Sequence, residues 1–86
     1  MNDITKIRRD VKDLEKGLLT KIEVNADSES YEVYIGFYIQ TIKAIHNDVI
    51  TIYDIEFDKN IHIVVYETSE IYQYKSESLF IAGNRN

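Results

Sequence analysis

Asp54, Glu56 and Asp58 stand at alternate positions, and Asn60 follows them. Carboxylates at i, i+2 and i+4 are the spacing with which a calcium loop begins. The pattern then breaks. Its sixth position is Lys59, where the sharp turn needs glycine, and its twelfth is Val65, where a bidentate glutamate is required. The three acids therefore read as the solvent edge of a strand and its turn. His46 and His62 are the only histidines, neither has a His or Glu four residues away, and the chain has no cysteine to complete a zinc site. A pairing of His62 with Asp54 or Asp58 across the 56–60 turn is the one acid–base grouping the spacing allows. No serine or threonine sits between the glycines of a nucleophile elbow, and no glycine-rich phosphate loop is present. The sequence nominates no catalytic residue, no metal ligand and no cofactor, and the expectation is that the protein is not an enzyme.

Seven tyrosines are the strongest compositional signal. Period-two alternation puts Tyr34 and Tyr38 on one strand face, with Glu32, and Tyr72 and Tyr74 on another. Paired rings on an exposed sheet face can stack unpaired bases. That mode also wants a basic groove, and the strands read here carry only Lys21, Lys43 and Lys75. Tyrosine is equally suited to protein interfaces, where a broad ring ends in a polar tip.

Charge favours the second use. Residues 1–17 hold five basic and four acidic groups, whereas residues 18–86 hold five basic and eleven acidic ones, and the whole chain stands at −5. An acidic body repels phosphate backbones and favours basic surfaces, so no direct duplex DNA binding is expected. No apolar run suits a signal sequence or a membrane span, which gives a cytoplasmic expectation.

These side chains must be positioned by one domain, 1–86, whose hydrophobic fraction of 44% is ordinary for a globular chain. Ile4, Ile7, Val11, Leu14 and Leu18 recur at spacings of three and four, which predicts a helix over about 3–16, capped by Asp3 or Asn2 and ended at Gly17. The helix packs that seam on its own sheet or pairs with a second copy. From Leu19 the period falls to two. Strands are expected at about 19–26, 31–45, 49–55, 61–67 and 71–75, with a short sixth at 79–82. Gly36 lies mid-strand, where glycine marks a bulge, a bend or a close backbone approach. The fold class expected is α+β: one N-terminal helix and a strongly bent five-stranded antiparallel meander that closes or half-closes into a small barrel.

The ending Leu79-Phe80-Ile81-Ala82-Gly83-Asn84 resembles the closing strand of the Sm/Hfq family, and Gly36 is similar in place to that family's second-strand glycine. The aspartate and Met-Asn that should follow that glycine are missing, and Ala82 replaces the usual basic residue. The resemblance implies a small Sm- or SH3-like barrel shape and transfers no binding residue.

The functional expectation is a small acidic protein-interaction module that docks Tyr34, Tyr38, Tyr72, Tyr74, Glu32, Asp54, Glu56 and Asp58 on a basic partner surface. Isoleucine, tyrosine and asparagine, which AT-rich codons favour, suit a phage- or plasmid-type inhibitor of a nucleic-acid-handling protein. The alternative is a self-assembling Sm-like ring, joined through strand edges unguarded by proline or through the Ile4/Ile7/Val11/Leu14/Leu18 seam, acting as a scaffold or an RNA binder.

Overall fold

Residues 3–25 and 29–76 are described by a computed structural model, and they form one antiparallel sheet of six strands. The strands are β1 (Ile4–Arg9), β2 (Leu19–Val24), β3 (Glu32–Ile42), β4 (Val49–Asp54), β5 (Lys59–Val64) and β6 (Glu70–Ser76). Their order across the sheet is β1-β6-β2-β3-β4-β5.

The α+β expectation is corrected on both counts. Residues 4–9 are a strand, and the only helical geometry among the described residues is a 3-10 turn at Val11–Asp13. The five-stranded meander is instead a six-stranded sheet in which, among the described residues, β1 and β5 stand at the two edges and no pairing between them closes an Sm- or SH3-like barrel. The expected strand at 79–82 lies outside the described residues. Helix periodicity lost because β6 offers a partner: Ile4↔Ser76 through Arg9↔Ile71 pair in unbroken register. An unbroken ladder gives the β1 backbone groups that face β6 their partners, and β-branched Ile4, Thr5 and Ile7 suit a strand. The seam is split in consequence. Ile4 is 66% exposed on one face of β1, while Val11 and Leu14 pack against the core.

Both β1 and β2 run antiparallel to β6 between them, so they are parallel to each other and residues 10–18 must cross over β6. The crossing is clamped by Gln73, which is wholly buried. Its Oε1 accepts from the Glu15 N–H at 3.0 Å, and its Nε2 donates to the Glu15 carbonyl and to Thr20 Oγ1, each at 3.0 Å. At the other end, residues 65–69 alone carry the chain from β5 to β6, past β4, β3 and β2. Only a strongly curled sheet brings those strands within reach of so short a link.

Residues opposite one another in register share a face. The concave face gathers Thr20, Ile22 and Val24 of β2, Gly36 and Tyr38 of β3, Ile50 and Ile52 of β4, Ile63 of β5, and Ile71 and Gln73 of β6. These residues hold the core. Gly36 decides which side of β3 this is. A Cβ there would lie against the Tyr53 carbonyl oxygen, 2.9 Å from its carbon, and 3.1 Å from Ile52 Cδ1. Only glycine lets β4 pass so close on the inside of the curl. The register slips between Tyr38 and Gln40, a bulge that completes the bend. Among the described residues no helix is long and apolar enough to cross a membrane.

Candidate functional site

β3 faces the core with its more polar row. Tyr34, Gly36 and Tyr38 point inward, with Glu32 exposed at the end of that row, whereas Val33, Ile35 and Phe37 point to the convex side, with Val33 40% and Ile35 52% exposed. A strand normally buries its apolar row. Exposure of aliphatic side chains in the middle of a strand is the feature that sequence alternation alone would have placed the other way.

The backbone is open at the same place. Tyr38 donates to the Leu18 carbonyl at 3.0 Å and accepts from the Gly17 N–H at 2.9 Å, so both of its polar groups face the β2 side. Alternation in an antiparallel ladder turns Gly36, Tyr34 and Glu32 the same way, and turns Phe37, Ile35 and Val33 toward β4. Pairing with β4 begins only at Phe37, opposite Tyr53. Beyond it β4 departs into its hairpin with β5, so the N–H and C=O groups of Val33 and Ile35 meet no strand among the described residues.

Between this open edge and the hairpin lies a groove of about 450 Å³, walled by Val33, Tyr34 and Ile35 on one side and by Asp54, Glu56, Phe57, Lys59 and Ile61 on the other. A second hollow of about 280 Å³ shares Ile35, Asp54 and Glu56 and adds Leu19, Gly36 and Ile55. Phe57 and Ile55 are both exposed. The hairpin tip is built by its own acids. Asp54 Oδ1 accepts from the Glu56 and Phe57 N–H groups at 2.9 and 3.3 Å, an Asx turn, and Asp58 takes a left-handed φ of 51°. The Tyr53 hydroxyl donates to Asp58 Oδ1. The spaced carboxylates are thus turn-formers that leave an acidic rim on an apolar groove.

Four of the eight expected docking residues, Tyr34, Asp54, Glu56 and Asp58, belong to this groove or its hairpin, and Glu32 lies next to it as the acceptor of the Tyr34 hydroxyl. Tyr38 does not; it is 8% exposed, lies in the core, and its hydroxyl meets Thr41 Oγ1 at 2.5 Å. Tyr72 and Tyr74 lie elsewhere on the convex face, on β6. His62 does not join the acids either: its Nδ1 bonds Thr51 Oγ1 at 2.8 Å. Val33, Ile35, Phe57, Lys59 and Ile61 are the contributors that sequence reasoning left out, and an apolar row facing the open edge gives no local signal.

Four tyrosines donate to carboxylates: Tyr31 to Glu23, Tyr34 to Glu32, Tyr53 to Asp58 and Tyr72 to Glu70. The bond to the acid is the main reason the phenols of Tyr34, Tyr53 and Tyr72 are held above the ordinary tyrosine value. Partial burial comes first for Tyr31, ahead of Glu23. A raised pKa means the folded chain holds the phenol proton more tightly than the unfolded one. That contribution is complete below the unfolded value near about 10 and is lost as pH rises through the folded values. Urea midpoints should be level from pH 7 to 9 and fall above pH ~10, together with the growth of tyrosinate absorbance. Midpoints that stay level while the tyrosines ionise would contradict these pairings.

No protein-family model, curated protein or solved structure matches this chain.

Proposed function

We propose that this protein is a non-enzymatic interaction module that receives an extended, basic segment of a partner protein as an added strand along the open edge of β3. The observation that carries the reading is the coincidence at Val33 and Ile35 of backbone that no described strand pairs and outward apolar side chains, beside a hairpin rimmed by Asp54 and Glu56. Strand addition uses main-chain hydrogen bonds for affinity and side-chain pockets for selectivity. Here alternate apolar residues of the partner meet Val33, Ile35 and Phe57, and intervening lysines or arginines meet the acids. A cytoplasmic inhibitor that masks a basic segment of a nucleic-acid-handling protein fits the acidic charge and the composition.

Self-assembly through the outer edges is the weaker reading. β1 carries Lys6, Arg8 and Arg9, the charged guard that keeps an edge from pairing with a like edge.

A capped peptide of alternating lysine and valine tests the docking reading by calorimetric titration. Binding should weaken with salt, and should fall about tenfold or more in Glu56→Lys and in Ile35→Glu, both at exposed positions. The same peptide N-methylated at alternate amides should not bind. Equal binding of the methylated peptide, or no loss in Glu56→Lys, would overturn strand addition; absence of binding at millimolar peptide would overturn the groove itself.

A further inference from the structure

We infer that the convex face of β1, β6 and β2 is a binding site for single-stranded nucleic acid, adjoining the β3 groove at Leu19 and Ile35. Three cations from two strands converge on one ring. Lys6 Nζ lies 4.3 Å from the Tyr72 centroid, the Arg8 guanidinium carbon 5.6 Å and Lys21 Nζ 6.0 Å. Register explains the convergence. Arg8 and Lys21 are the two cross-strand neighbours of Tyr72, one on each side, and Lys6 and Leu19 are those of Tyr74. The Tyr74 row continues through Leu19 to Phe37. Two adjacent tyrosines, flanked by cations and continued by an apolar row, are the two parts a single-strand site requires: faces for bases to stack on and charge for the phosphates that link them.

The surrounding acids set the strength. Glu70 pairs with Arg8 at 3.5 Å and Glu23 with Lys21 at 3.2 Å, and the Tyr72 hydroxyl donates to Glu70 at 2.5 Å. These contacts hold Arg8 and Lys21 near the ring while Lys6 lies over its face, so a base that stacks there must displace Lys6 and a phosphate must compete for the other two cations. The negative charge of the rest of the chain is screened beyond about 8 Å at physiological salt. The site is therefore local, salt-sensitive and of modest affinity. Stacking makes it a site for unpaired bases, since a duplex hides the ring faces.

The test is fluorescence anisotropy of a labelled oligothymidylate of about twelve nucleotides, titrated between ~20 and ~200 mM salt. Micromolar binding at low salt is expected. Its logarithm should fall against log salt with a slope near −2, about 0.7 for each of three neutralised phosphates. Lys6→Gln should flatten the slope by about 0.7 while leaving the unfolding midpoint in place, a change that a purely structural cation would not produce. Tyr72→Leu should weaken binding at least about tenfold, while Tyr72→Phe, which keeps the ring and loses the Glu70 bond, should bind like the parent. A slope near zero, undiminished binding in Lys6→Gln, or equal binding of a duplex would overturn the inference. Binding to anionic lipid vesicles without binding to the oligonucleotide would also overturn it and assign the patch to a membrane surface.

Discussion

Gly36→Ala should lower the thermal midpoint by about 15 °C, more than any other single-methyl addition in this chain. The added carbon meets backbone atoms of Tyr53, which cannot swing aside as a side chain can. Overpacking of this kind costs about 1–3 kcal/mol and occasionally more, and a chain of this size loses about 4–8 °C per kcal/mol. Gly17→Ala is the instructive comparison. Gly17 sits at φ +85°, where an L residue is strained, yet nothing lies within 4 Å of its missing Cβ. The strain alone is worth about 1–2 kcal/mol. Calorimetry should therefore rank Gly36→Ala below Gly17→Ala in midpoint. The reverse order would mean that β4 does not pass close inside β3, and would remove the reason Val33 and Ile35 face outward.

Gln73→Leu is the second large effect, and its consequence is local before it is global. The side chain makes three hydrogen bonds, two to the backbone of Glu15 and one to Thr20, while Glu15 also reaches Arg9 at 3.7 Å and Lys75 at 3.5 Å. Leucine removes all three bonds and leaves the Glu15 N–H and carbonyl without Gln73, while the Thr20 hydroxyl keeps its bond to the Leu18 carbonyl. Each bond is worth about 1 kcal/mol net, and each partner left unsatisfied adds to the loss, so destabilisation of about 2–4 kcal/mol is expected. Amide exchange should show residues 10–18 opening at free energies below those of β2 and β3, with β1 following because β6 is its only partner among the described residues. Uniform loss of protection across the sheet, with residues 10–18 no weaker than the rest, would contradict the clamp.

The period-two stretches after Leu19 made the antiparallel sheet legible, and Gly36 was legible as a special position because glycine has few uses in mid-strand. The first eighteen residues were misleading for a physical reason. Ile4, Ile7, Val11, Leu14 and Leu18 do follow helical spacing, but that spacing is equally met by a strand, a 3-10 turn and a crossing segment that place Val11 and Leu14 on the core separately. The decisive partner, β6, lies some seventy residues away, and no local pattern reports it. The same long-range pairing hid the cationic face. With Lys6 and Arg8 assigned to a helix, Tyr72 had too few cations beside it; as strand residues they are its cross-strand neighbours. The acidic hairpin was visible in the spacing of Asp54, Glu56 and Asp58. The groove was not, because it exists only where β4 leaves β3.

Residue-resolved amide exchange of the free protein and of the protein saturated with the lysine–valine peptide tests strand addition most directly. Val33 and Ile35 should exchange fast in the free protein while Tyr34 and Gly36, bonded toward β2, exchange slowly, and the peptide should slow Val33 and Ile35 selectively. Slow exchange of all four residues without peptide would show that the edge is already paired, and fast exchange of Val33 and Ile35 in the saturated protein would show that the partner does not bind as a strand.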